Sequence, residues 1–177
     1  MRQGGTSLLL ALGLSLALTG TSAAQDGEIV TKQYDDGSFY EGTFLNGRQH
    51  GTGTYTLPNG YSYTGDWLAG EILGQGVARY PNGSVYEGQF AAGKPEGRGK
   101  ISYANGGSYE GDWTGGKMTG AGVARYPDGS VYTGALVDGK HQGRGVMVEQ
   151  TGTRYEGDWV AGVKDGKGRI TAWRDYF

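Results

Sequence analysis

The sequence predicts an all-β protein, an elongated single-layer antiparallel sheet of stacked β-hairpin repeats, preceded by a helical leader. Three observations carry that prediction. A 23-residue unit recurs six times without insertion or deletion, glycine stands at fixed places within it, and aromatic residues alternate with polar ones at a period of two.

The units open at Tyr40, Tyr63, Tyr86, Tyr109, Tyr132 and Tyr155, each beginning Tyr-x-Gly, and tile residues 40–62, 63–85, 86–108, 109–131, 132–154 and 155–177. Counting the tyrosine as offset 0, glycine fills offsets 2, 7, 11 and 13 in all six units and offset 20 in five, which absorbs 29 of the 37 glycines. A flexible linker shares this composition but has no fixed period. A helical unit is excluded by propensity, since each interior glycine costs about 1 kcal/mol in a helix, whereas in strands glycines mark bends, bulges or close approach. A second period of 46 residues lies over the first: Gly-Asp-Trp recurs at Gly65 to Trp67, Gly111 to Trp113 and Gly157 to Trp159, with Phe44, Phe90 and Leu136 in the alternate units.

Offsets 0 to 4 read as a half-buried strand, and a second strand is expected from offset 11 to offset 17. The glycine at offset 7 closes the hairpin, and Asn-Gly or Asp-Gly at offsets 19 and 20 supplies a positive-φ turn into the next unit. Pairing offset 0 with offset 17 sets Trp at offset 4 over the glycine at offset 13, and puts offset 15 (Tyr55, Ala78, Ile101, Ala124, Met147, Ile170) on the same apolar face. Offsets 1, 3, 12 and 16 fall on the opposite, polar face. An isolated hairpin is marginal in water, so stability has to come from stacking neighbouring units. Two strands per unit at about 4.8 Å each extend the ribbon to about 60 Å.

The ends differ from the middle. Arg2 precedes an 11-residue apolar run from Leu8 to Leu18, followed by Ser22, Ala23 and Ala24. That order reads as a signal peptide over residues 1–24, cut after Ala24, because a bilayer-spanning helix needs roughly 20 apolar residues. The expected destination is the periplasm or the outside of the cell. Residues 25–39 read as an N-terminal half-repeat that caps the first edge, and Trp173, Tyr176 and Phe177 as a cap on the last.

Chemistry is sparse. Sixteen Lys and Arg against 18 Asp and Glu give a net charge of −2, which argues against a nucleic-acid partner. With no cysteine there is no disulfide framework and no thiolate metal site. No nucleophile–base pair, P-loop or metal cluster is evident, so neither catalysis nor a cofactor is expected. His50 and His141 are read as exposed turn residues. Repetition instead builds ladders. Tyr40, Tyr63, Tyr86, Tyr109, Tyr132 and Tyr155, with Trp67, Trp113 and Trp159, form an aromatic strip that either packs on itself or takes a peptide or a sugar ring. Arg48, Lys94, Lys117 and Lys140, joined by Arg98, Arg144 and Lys167, form a basic stripe suited to anionic headgroups. Glu41, Glu87, Glu110 and Glu156 with Asp66, Asp112 and Asp158 form an acidic ladder, expected to pair with Arg79 and Arg125.

The run Tyr-Glu-Gly-Asp-Trp-Thr-Gly-Gly-Lys-Met-Thr-Gly-Ala-Gly from Tyr109 to Gly122, followed by Tyr126-Pro-Asp-Gly129, resembles the MORN repeat (membrane occupation and recognition nexus), and the other units match it with small departures. The departures gather in the last two units: Leu136 at offset 4, Glu149-Gln150-Thr151 in place of Tyr-Pro-Asn/Asp, and Val163 in place of Lys. A chain that is all repeat and has no catalytic constellation is expected to be a non-catalytic binding or scaffold module with a protein partner. The resemblance implies two alternatives, a binder of anionic phospholipid and an accessory partner of an enzyme, and it allows dimerisation, which other members use; envelope-glycan binding is an alternative that rests on the aromatic strip.

Overall fold

The computed structural model describes residues 27–172. The leader and the proposed C-terminal aromatic cap lie outside the described residues. Thirteen strands form one antiparallel sheet in which spatial order equals chain order. They are β1 (Val30–Gln33), β2 (Phe39–Leu45), β3 (Arg48–Thr56), β4 (Ser62–Leu68), β5 (Glu71–Arg79), β6 (Val85–Ala91), β7 (Lys94–Ser102), β8 (Ser108–Thr114), β9 (Lys117–Arg125), β10 (Val131–Val137), β11 (Lys140–Val148), β12 (Arg154–Val160) and β13 (Val163–Thr171). Each 23-residue unit contributes one hairpin of a seven-residue and a nine-residue strand, and β1 pairs with β2 ahead of the first unit.

Two turn types alternate along the ribbon. Inside each unit the strands are joined by two residues that both take positive φ, as at Asn46-Gly47 (51° and 74°), Ala92-Gly93 (47° and 72°) and Asp138-Gly139 (50° and 75°). Paired positive φ matches the twist of the flanking strands, which is why offset 7 is invariably glycine. Between units a three-residue loop is used: the Gly83 amide donates to the Tyr80 carbonyl, the Tyr80 amide to the Ser84 carbonyl, and the Ser84 amide to Asn82 Oδ1. Only the glycine of this Asn-Gly pair has positive φ, 83° at Gly83. The loop from Glu149 to Thr153 keeps the same backbone bonds although its sequence departs from the motif.

The register corrects the sequence reading. Offset 0 faces offset 15, not 17: Tyr40 is opposite Tyr55, Tyr86 opposite Ile101 and Tyr132 opposite Met147. The two-residue turn lets the second strand resume at once, at offset 8 instead of 11, and a bulge opposite offset 3 then adds two residues. Because the discrepancy is even, every side chain stays on its expected face.

The bulge has a fixed construction. Glycine at offset 11 takes positive φ, 92° at Gly74 and 68° at Gly120. In the first four units the side chain at offset 3 fills the gap: the Gln75 amide donates to Asp66 Oδ2 at 2.8 Å, the Ala121 amide to Asp112 Oδ2 at 3.0 Å and the Arg98 amide to Gln89 Oε1 at 3.2 Å, while the Thr43 hydroxyl donates to the His50 carbonyl.

The core is a single row of rings lying flat on glycine. Each offset-0 tyrosine folds over its own strand and donates its hydroxyl to the carbonyl at offset 3, at 3.0 Å for Tyr40 to Thr43 and 2.9 Å for Tyr86 to Gln89. The ring covers the glycine pair at offsets 2 and 13, and a Cβ on Gly53 would stand 2.2 Å from the Tyr40 hydroxyl. So the residue lying over offset 13 is the tyrosine of the same unit, where the sequence reading put tryptophan. Tryptophan reaches back instead. Trp67 Nε1 donates to the Gly53 carbonyl and Trp113 Nε1 to the Gly99 carbonyl, both at 3.1 Å, and Trp159 Nε1 to the Gly145 carbonyl at 3.4 Å. Phe44, Phe90 and Leu136 have no such donor, so the 46-residue period is an alternation of junctions with and without a tryptophan Nε1 hydrogen bond. The rings then interlock edge to face along the ribbon, as Tyr40–Trp67 at 5.1 Å, Tyr63–Phe90 at 4.9 Å and Tyr86–Trp113 at 5.0 Å.

Candidate functional site: two tiers of aromatic residues

The aromatic face carries two tiers that the sequence alone does not separate. The lower tier is the row of offset-0 tyrosines and offset-4 rings. Tyr40, Tyr63, Tyr86 and Tyr132 are fully buried, Tyr109 and Tyr155 nearly so, and Trp67, Trp113 and Trp159 are buried beside them. Burial pushes the hydroxyls of Tyr40, Tyr63 and Tyr86 up to about 12. Those nine residues, singled out above as candidate ligand contacts, form the hydrophobic core.

The upper tier is a second set of tyrosines on the same face: Tyr34, Tyr80, Tyr103 and Tyr126 at offset 17, with Tyr55 edge-on to Tyr34 at 6.2 Å and Tyr61 beside Tyr80 at 5.7 Å. All are half-buried except Tyr126, which is 36% exposed. Offset 17 leans toward offset 9 of the following unit. Gln49 Nε2 donates to the Tyr34 hydroxyl at 2.7 Å, the Tyr103 hydroxyl points to Met118 Sδ at 3.8 Å, and the Tyr126 hydroxyl shares a 2.6 Å hydrogen bond with His141 Nε2. A cleft of about 470 Å³ opens between Tyr34, Tyr55, Tyr61, Trp67 and Ile72, with Gln49 and Glu71 as its polar groups. A second of about 270 Å³ lies beside Tyr103, Met118, Tyr126 and Leu136. Sequence reading placed offset 17 at the end of the second strand, opposite the offset-0 tyrosine, and Tyr55 on the apolar face, but assigned none of these tyrosines a binding role. The available signal was their parity with offset 15.

The basic residues separate into two groups. Arg48, Lys94, Lys117 and Lys140 stand exposed directly after the intra-unit turns, along one edge, where Lys117 pairs with Asp138 at 3.0 Å. Glu71 and Val163 interrupt that row. Arg98 and Arg144 instead lie on the polar face, 3.1 Å from Asp112 and 4.0 Å from Glu156. The acidic ladder does not pair as expected. Asp66 and Asp112 serve the bulges, Glu156 meets Arg154 at 2.7 Å, and among the described residues no ion pair joins these carboxylates to Arg79 or Arg125.

Neither histidine is an exposed turn residue. His50 lies half-buried in β3, where its Nδ1 accepts from the Ala69 amide at 3.4 Å, a role taken by Glu96 and Gln142 for the turns at Gly115 and Ala161. His141 is 9% exposed, stacked on Tyr132 at 3.6 Å and 14°, with Trp159 edge-on at 4.8 Å. Burial pushes its pKa down. Among the described residues no group of three or more His, Asp or Glu side chains is placed to hold a metal ion.

Comparison with solved structures finds long, distant alignments. The TCP domain of SAS-4 (dCPAP) from Drosophila melanogaster, solved in complex with a proline-rich motif of Ana2, is 13% identical, with a TM-score of 0.49 over 94% of this chain and 99% of that one. The G-box domain of CPAP is 14% identical, with a TM-score of 0.35 over 82% and 87%. The TCP10 domain of Danio rerio CPAP is 17% identical, with a TM-score of 0.26 over 75% and 84%. No curated protein sequence matches the chain. The MORN repeat profile matches residues 40–60, 63–85, 86–108, 109–131, 132–154 and 155–171, unit by unit at the period seen in the hairpins, and the chain therefore belongs to the MORN-repeat family.

Proposed function

We propose that this protein is an exported, non-catalytic scaffold that holds a protein partner against the upper tier of tyrosines. The observation that carries the reading is the split between the tiers: the lower rings are consumed by the fold, while Tyr34, Tyr55, Tyr61, Tyr103 and Tyr126 stay partly exposed beside open clefts and the half-buried Tyr80 packs 5.7 Å from Tyr61. Half-exposed tyrosine suits recognition because it offers apolar area and a hydroxyl with little side-chain entropy to lose. Flanking carboxamide and carboxylate groups at Gln49 and Glu71 supply directional contacts. The test is crosslinking and pull-down from envelope extracts with the mature chain and with a Tyr61→Ser, Tyr80→Ser variant. Saturable capture of one protein that the variant loses, with the β-sheet circular dichroism signal retained, supports the reading; capture equal for both chains overturns it.

The alternative of an anionic membrane surface rests on the exposed edge row Arg48, Lys94, Lys117 and Lys140. The interruptions at Glu71 and Val163 and the Lys117–Asp138 pair make that row a weaker footprint than the tyrosine tier. Co-sedimentation with anionic liposomes at low salt separates the two readings, since only the lipid reading predicts binding that added salt abolishes.

A further inference from the structure

We propose that His141 is a pH-operated latch that ties the fifth unit to the fourth and the sixth: the neutral imidazole holds these contacts closed and protonation opens them. The position is singular. Its column on the aromatic face, offset 9, holds Gln49, Ile72, Pro95, Met118 and Lys164 in the other units. In the fifth unit the imidazole joins three elements. It bonds Tyr126 from the loop between β9 and β10, stacks on Tyr132 of β10, and meets the edge of Trp159 of β12, the ring whose Nε1 reaches back to Gly145.

One ring nitrogen has a partner and the other has none: Nδ1 is buried without a hydrogen bond. In the neutral ring that leaves one weakly polar atom against hydrocarbon. In the imidazolium it leaves a buried charged N–H donor with no acceptor, which is far more costly. The titratable and charged groups around it do not compensate. Tyr126 and Tyr132 face it as neutral phenols, the tyrosines being raised by burial, and Trp159 carries no charge. Lys164, next in the column on β13, lies 6.0 Å from the Trp159 ring, and Lys140 is adjacent on β11. Both add positive charge. Among the described residues no carboxylate stands within ion-pair distance of the ring.

The lowered pKa fixes the direction. A histidine whose folded value lies below its unfolded one contributes stability that is present above the unfolded value, about 6.5, and is lost as pH falls through the folded value. Relief comes when the imidazolium leaves the cage for solvent, which breaks the Tyr126 bond and uncovers Tyr132 and Trp159.

The test follows both histidines by NMR through a titration of the full mature chain, together with amide hydrogen exchange at the junction of β11 and β12 against that of β5 and β6. Expected are a His141 midpoint below the ordinary histidine value of about 6.5 and, between about pH 8 and pH 5, a loss of protection of about tenfold or more at the former junction and none at the latter. His141→Met and His141→Gln, residues the chain already accommodates at Met118 and Gln49, are expected to hold that protection constant. A His141 midpoint at or above about 6.5 overturns the latch, as does the same acid-dependent loss in the folded His141→Met chain. The wild-type titration decides the matter by itself if neither variant folds.

Discussion

A single methyl group at Gly99 tests the packing on which the whole array depends. A Cβ there would stand 2.1 Å from the Tyr86 hydroxyl oxygen, 2.4 Å from Cζ and 2.6 Å from Cε2. Ordinary carbon contacts lie at about 3.5–4.0 Å, so the ring has to lift by more than about an ångström along its whole outer edge. Tyr86 has nowhere to lift without loss: it is fully buried, sits 5.0 Å edge-on from both Phe90 and Trp113, and donates to the Gln89 carbonyl at 2.9 Å. Displacing it resembles deleting a core aromatic, which costs about 3–5 kcal/mol. Gly106→Ala is the control. Its φ of 91° strains any L-residue by about 1–2 kcal/mol, but nothing lies within 4 Å of the new methyl. Gly99→Ala should therefore lower the melting midpoint by about 6 °C or more for a chain of this size, and by more than Gly106→Ala does. In a Tyr86→Ala background the Gly99 methyl should add little, giving a coupling of about 2–3 kcal/mol in urea midpoints. Additive effects, or a Gly106→Ala chain that melts below Gly99→Ala, would refute the ring-on-glycine account.

Trp113→Phe removes the donor to the Gly99 carbonyl and should destabilise by about 1 kcal/mol, read as faster hydrogen exchange at the junction of the third and fourth units and unchanged exchange at that of the second and third. Ala92 occupies the first turn position at φ 47°, which Asn46 and Asp138 hold in other units; Ala92→Asn should raise the melting temperature by the equivalent of about 0.5–1 kcal/mol. In alkali, the tyrosines raised to about 12 stay neutral in the fold and ionise in the unfolded chain near 10. Their contribution is complete below about pH 10 and is lost as pH climbs toward the folded value, so tyrosinate absorbance should rise together with loss of the β-sheet circular dichroism signal. Ionisation of those rings in an intact sheet would contradict their burial.

Much of this fold is legible because the 23-residue unit repeats one solution six times. The hairpins, the faces and the inter-unit stacking follow from Tyr-x-Gly, the glycine at offset 7 and the Asn-Gly or Asp-Gly turns. Register was less accessible. Pairing offset 0 with 15 requires knowing that the intra-unit turn has two residues and that two more are absorbed opposite Thr43, Asp66, Gln89 or Asp112. The polar residue that plugs the bulge reads in sequence as one rung of a charged ladder, and its backbone bond has no compositional signature.

The candidate site was hard to read for a related reason. Tyr86 and Tyr80 are six residues apart in the same unit boundary, both tyrosine and both on the apolar face. What separates them is the glycine pair. Tyr86 is followed at offset 2 by Gly88 and faces the strand carrying Gly99, so its ring has a floor to lie on, whereas Tyr80 enters a Pro-Asn-Gly loop and has none. The conspicuous, invariant tyrosine is therefore the one the fold consumes, and the one that varies, as Leu57 and Glu149 show at the same offset, keeps part of its surface exposed. His141 obeys the same logic. The partner across the ribbon, Tyr126, the stacked Tyr132 and the edge of Trp159 distinguish it from His50 one offset away, and those neighbours come from a loop and two strands that only the register brings to one place.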